Sequence, residues 1–136
     1  MELAVARAPN GVIVVVDADD DCPAAWGASM PQTSPSRGLP VAGVMASREF
    51  ESWMLAGYDR EVRQAVGARE PERSPRDAKK ALARLVSGYA PSTHQTSVVR
   101  SIDLARAWAV SESFDKLVRS VSFVTGEIAP RRPVER

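Results

Sequence analysis

Gly11-Val12-Ile13-Val14-Val15-Val16-Asp17-Ala18-Asp19-Asp20-Asp21 joins five consecutive β-branched residues to four aspartates. A half-exposed strand would alternate apolar and polar residues, so the unbroken run predicts a central parallel strand covered on both faces. In open α/β sheets, ligands bind where such strands end at their carboxyl edge. A two-residue period puts Asp17 and Asp19 on the same side. The stretch therefore predicts an acidic site, with a divalent cation as its expected occupant.

Working outward, Pro23 to Met30 reads as a brief helix with Trp26 and Met30 four apart, followed by a Pro/Ser/Gly loop over 31–40. Val41 to Ala46 reads as a second strand, weakened by Gly43. The roughly 23 residues between the strands can hold a right-handed crossover with a helix, which makes the strands parallel and ends them at the same edge. Ser47 is the expected cap of a helix over Arg48–Ala56, closed by Gly57 in the left-handed conformation. Phe50, Trp53 and Met54 share one face of it.

A second short helix is expected from Asp59 to Val66, then a charged linker to Arg73. Ser74, Pro75 and Asp77 form a helix start, and Ala78, Ala81, Leu82, Leu85 and Val86 carry that helix to Gly88. Helices from Thr93 to Trp108 and from Glu112 to Val124, capped by Ser92 and Ser111, complete the pattern. The expected fold class is α/β: a small, mostly parallel sheet with a helical C-terminal half. It forms one domain over 1–126, with a flexible tail over 127–136.

Apolar content of 44% and charged content of 26% are those of a soluble globular chain, large enough at 136 residues for a core. The net charge of +1 neither requires nor excludes nucleic acid. Cys22 is the only cysteine, which leaves no internal disulfide and no cysteine-based zinc site. No apolar run approaches the ~18 residues of a membrane span, and the first residues lack a signal-peptide core. A cytoplasmic protein is expected.

Asp17 and Asp19 can ligate Mg²⁺ or Mn²⁺ through hard oxygens; the bland alternative is that they cap the next helix and stay solvated. A helix-loop-helix calcium loop is rejected, because Cys22 holds its glycine position and Ala28 its glutamate position. Glu49 and Glu51 follow the second strand and so come to the same edge, as a further ligand or a water-orienting base. A salt bridge to Arg48 is the competing reading for either. Lys79 and Lys80 belong to the wet side of a helix, and His94 to a helix start. No glycine-rich phosphate loop occurs.

Several segments taken together resemble a known family. They are Val14-Val15-Val16-Asp17-Ala18-Asp19-Asp20-Asp21, Arg48-Glu49-Phe50-Glu51-Ser52-Trp53-Met54-Leu55, the stretch from Tyr89 to Gln95, Ile102-Asp103-Leu104, and Ser113-Phe114. This ordered set resembles the bacterial family catalogued as domain of unknown function 4276, which is similar to the Toprim fold of topoisomerases, primases and related nucleases. The resemblance implies an Mg²⁺-dependent phosphodiester-cleaving protein, with Asp17 and Asp19 as metal ligands and Glu49 or Glu51 as the catalytic carboxylate, a further ligand or a water-orienting base. It also implies a nucleic-acid target, a partner ATPase and a phage-defence setting. The family pattern opens with a glutamate-bearing strand well upstream of the Asp-x-Asp pair, and this chain starts only 16 residues before Asp17. The expectation is therefore a chain lacking that first unit: a truncated gene product, a natural short form, or half of a site completed by another chain. A sheet missing that neighbour exposes an edge, which invites a homo-oligomer, and the competing function is a non-catalytic binding and assembly module.

Overall fold

A computed structural model describes residues 10–34, 37–73 and 77–135. Within them the fold is α/β. Strand β1 (Val12–Asp17) and strand β2 (Val41–Ala46) pair in parallel, with Val12 beside Val41 and Asp17 beside Ala46. The crossover between them carries helix α1 (Pro23–Ser29), started by Pro23 in the first turn. Helices α2 (Glu51–Ala56), α3 (Arg60–Ala65), α4 (Ala78–Ala83), α5 (Pro91–Ser101), α6 (Leu104–Val110) and α7 (Glu112–Thr125) follow. No helix is long and apolar enough to cross a membrane among the described residues.

The sheet is sandwiched by helices. One face carries Ile13, Val44 and Ala46 against Trp53, Phe114 and Leu117. The other carries Val12, Val14 and Val41 against Met30 and Leu39. Gly43 is needed on this second face: a Cβ there would lie 2.8 Å from Met30 and 2.9 Å from Trp26, so only glycine lets α1 seat this closely. Both α1 and α7 lie chiefly over β2.

This placement corrects the expectation of a central strand at positions 12–17. Among the described residues β1 has a hydrogen-bonded neighbour on one side only. Val15 is 42% exposed, although its neighbours in sequence are all apolar. The strand deepest in the molecule is β2.

The second core is purely helical. Met54, Leu55, Val66, Ala68, Ala78, Ala81, Leu82 and Val98 form it, and every residue of α2 is buried. Several helix boundaries differ from expectation for local reasons. Arg48 has φ of 64°, a left-handed turn that keeps the helix from starting there. Ser47 is consequently not its cap; the first residue of α2 is Glu51. Gly57 has φ of −76°, so it is not a left-handed cap. Its value is close approach, since a Cβ there would meet Ile102 at 2.7 Å.

The segment expected as one helix from Thr93 to Trp108 is two, because Asp103 caps a new start by accepting from the Arg106 N–H at 3.0 Å. Pro91 begins α5, with Ala90 rather than Ser92 at the cap position. Asp77 is itself the cap of α4, accepting from the Lys80 N–H at 2.8 Å. That helix ends at Ala83, before the expected Gly88. Ser74 and Pro75, expected to open it, lie outside the described residues. Ser111 caps α7 as expected, through the Phe114 N–H at 3.0 Å.

Candidate functional site

The carboxyl ends of β1 and β2 meet at one edge, as parallel pairing requires. Beyond Ala46 and Asp17 the two chains stay joined: the Ala18 N–H donates to the Ala46 carbonyl at 3.0 Å, and the Asp19 N–H to the Arg48 carbonyl at 2.8 Å. The strand ends at Asp17, and Asp19 has φ of 49°. The strand's two-residue period therefore does not extend to Asp19, which turns with the loop.

The carboxylates expected at this edge are each drawn to a donor. Asp17 Oδ1 accepts from the Phe50 N–H at 2.7 Å, closing the otherwise uncapped start of α2. Glu49 Oε2 accepts from the Lys79 N–H at 2.9 Å, in the first turn of α4. Helix starts carry partial positive charge and unpaired N–H groups, so carboxylates are favoured there. Glu51 is 3% exposed, and its Oε1 accepts from the Tyr89 hydroxyl at 3.0 Å. Burial and this carboxylate together push the Tyr89 hydroxyl well above the ordinary tyrosine pKa.

Arg48 pairs with neither glutamate; its guanidinium lies 3.9 Å from Asp20. Lys79 and Lys80 are exposed, as expected of the wet face of α4. His94 sits in the first turn of α5, where its Nδ1 accepts from the Ala90 N–H at 3.0 Å.

A cleft of about 230 Å³ opens at the edge, lined by Ala18, Asp19, Asp20, Asp21, Pro23, Ser47, Arg48 and Glu72. Glu72 was not foreseen. It accepts from the N–H groups of Glu112 and Ser113 at 2.9 Å each, from the Ser111 hydroxyl at 2.6 Å, and from the Ser113 hydroxyl. Ser113 Oγ in turn accepts from Trp53 Nε1 at 2.6 Å and from the Ser47 N–H at 3.1 Å. One carboxylate thus ties the start of α7 to α2 and to the end of β2. The only trace in the sequence was the Ser111-Glu112-Ser113 helix start, whose orphan N–H groups need an acceptor.

No family model, curated protein or solved structure matches this chain. The chemistry of the edge therefore rests on its own geometry. The oxygen donors have the hardness Mg²⁺ prefers. Their placement is a different matter. Asp17, Glu49 and Glu51 point to three separate hydrogen-bond donors, and no group of three or more His, Cys, Asp or Glu able to hold a metal occurs among the described residues. What they do accomplish is docking: they fasten the sheet edge to α2, and α2 to α4 and the turn before α5.

Proposed function

We propose that the chain is a Toprim-like, non-catalytic binding and assembly module, one that keeps the acidic edge of a phosphodiester-cleaving fold and uses its carboxylates for structure. The observation that supports this reading is the commitment of Asp17, Glu49 and Glu51 to the Phe50 N–H, the Lys79 N–H and the Tyr89 hydroxyl. A partner ATPase or a nucleic acid, in a phage-defence setting, is the partner class that the family resemblance adds.

A second reading is Mg²⁺-dependent phosphodiester cleavage by a nuclease-type site. It is favoured by the contact between Asp17 and the Glu49–Glu51 segment at a single sheet edge. The two readings part in one experiment. Mg²⁺ or Mn²⁺ is titrated into the wild type and into the Asp17→Asn/Asp19→Asn double variant, with Trp53 fluorescence and calorimetry as readouts. The same proteins are incubated with plasmid and single-stranded DNA, with metal and with chelator. The module reading expects no saturable metal binding that depends on the two aspartates, and intact DNA. Nicking that disappears with chelator and in the double variant overturns it. Asparagine retains a side-chain oxygen for the Phe50 N–H, so the variant tests the charge without opening the fold.

A further inference from the structure

We infer that β1 is an assembly edge, onto which β1 of a second copy of this chain adds as an antiparallel strand. This goes beyond the acidic-edge reading and does not depend on it.

The ladder defines the open side. Val12 donates its N–H to the Pro40 carbonyl, and Ala18 to that of Ala46. With the Val12–Val41 register, the even-numbered residues of β1 face β2. Ile13, Val15 and Asp17 therefore turn their N–H and C=O groups the other way, where no described residue pairs with them. The corresponding far edge of β2 is closed at its start: the Val41 N–H donates to the Gln32 carbonyl, and Thr33 bridges Pro40.

The side chains agree. Exposed edges are normally guarded by lysine, proline, a bulge or short length. Residues 12–16 are all valine or isoleucine, a composition suited to a strand with neighbours on both sides. Yet Val15 stands 42% exposed, and α1 and α7 lie chiefly over β2.

Charge selects the partner's direction. A parallel neighbour of the same sequence would set Asp17, Asp19, Asp20 and Asp21 beside the same four residues. Antiparallel pairing about a two-fold axis near Val14 and Val15 carries each acidic turn past the other copy's Gly11 end. Like charges are kept apart, and β-branched residues face one another across the new ladder. The interface is isologous and closes at two copies, giving a four-stranded sheet in the order β2, β1, β1, β2.

The test is the mass in solution by sedimentation velocity across a dilution series, with amide hydrogen exchange at the two ends of the series. The wild type is expected at twice the monomer mass when concentrated. The Ile13 and Val15 amides should be protected there and lose protection on dilution. Val15→Pro removes only an outward N–H, a change edge strands tolerate, and is expected to leave a monomer with an unchanged circular dichroism spectrum. Val15→Lys gives the same result without altering the backbone, and so covers the case in which the proline variant unfolds. A wild type that stays monomeric throughout, or a dimer that survives both substitutions, overturns the inference.

Discussion

Helix α2 and strand β1 exchange the environments their compositions suggest. Glu51-Ser52-Trp53-Met54-Leu55-Ala56 includes a carboxylate and a hydroxyl, yet all six residues are buried. Val12 to Val16 is wholly apolar, yet it is only partly covered. Burial is set by how many elements surround a segment. Helix α2 is held by the sheet side through Trp53, by α4 through Leu55's cluster, and by α7 through the Trp53–Ser113 bond. Its polar groups are tolerable because each is satisfied: Ser52 donates to the Ser47 and Glu49 carbonyls, and Glu51 accepts from Tyr89. Strand β1 has β2 on one side and no described strand on the other.

The contrast can be broken or sharpened by mutation. Truncating the helical core should have the largest effect: Leu55→Ala or Leu82→Ala is expected to cost about 2–5 kcal/mol in urea unfolding. Val15→Ala in the monomeric state should cost less than about 1 kcal/mol, because little covered area is lost. Equal losses for Val15 and Leu55 would show that the two regions are not different in kind.

Next comes the polar tie between them. Ser113→Ala removes one hydroxyl serving Trp53, Ser47 and Glu72. It should destabilise by about 1–3 kcal/mol, the cost of leaving buried partners unpaired. Urea unfolding measures it, and Glu72→Ala should fall in the same range. A negligible loss for both would mean that the sheet edge and α7 are held by apolar packing alone.

Tyr89→Phe should cost about 1 kcal/mol at neutral pH and should also change the alkaline limb. The folded state raises the Tyr89 pKa above its ordinary 10.0. Its stabilising contribution is therefore complete below that pH and is lost as the pH climbs through and beyond it. Melting temperatures measured from pH 8 to 11 should fall more steeply for the wild type than for Tyr89→Phe.

The smallest pair of effects concerns the edge itself. Asp17→Ala should cost about 0.5–2 kcal/mol, as loss of a helix cap does, whereas Asp17→Asn should cost less, since an acceptor remains. Thermal unfolding in low salt and in high salt separates the charge from the hydrogen bond.

Much of this architecture was legible from local pattern. The β-branched run located β1 at Val12–Asp17, and the apolar stretch around Gly43 located β2 at Val41–Ala46. Ser111 announced α7 because a cap acts within its own turn. The failures came where a distant partner or a single dihedral decides. Arg48 turns left-handed, which delays α2, and Asp19's own φ of 49° takes it off the strand's period. Asp103 divides a continuous helical pattern by capping a second start. The segments that follow β1 and β2 meet at one edge, where Asp17 accepts from the Phe50 N–H. Where each glutamate turns was set by Lys79 and Tyr89, some 30 and 38 positions along the chain, beyond the reach of any spacing rule. Glu72 escaped notice for the same reason, with partners about 40 positions away.

Arg63 has a practical consequence for anyone cutting or tagging this protein. The residue is 1% exposed, and its guanidinium is held by the Tyr58 and Arg69 carbonyls and by the carboxylate of Glu135. Cutting the chain before Glu135 would leave this buried cation without that carboxylate, a loss far out of proportion to the few atoms deleted. Shortened versions that keep Glu135 should therefore express where those without it fail.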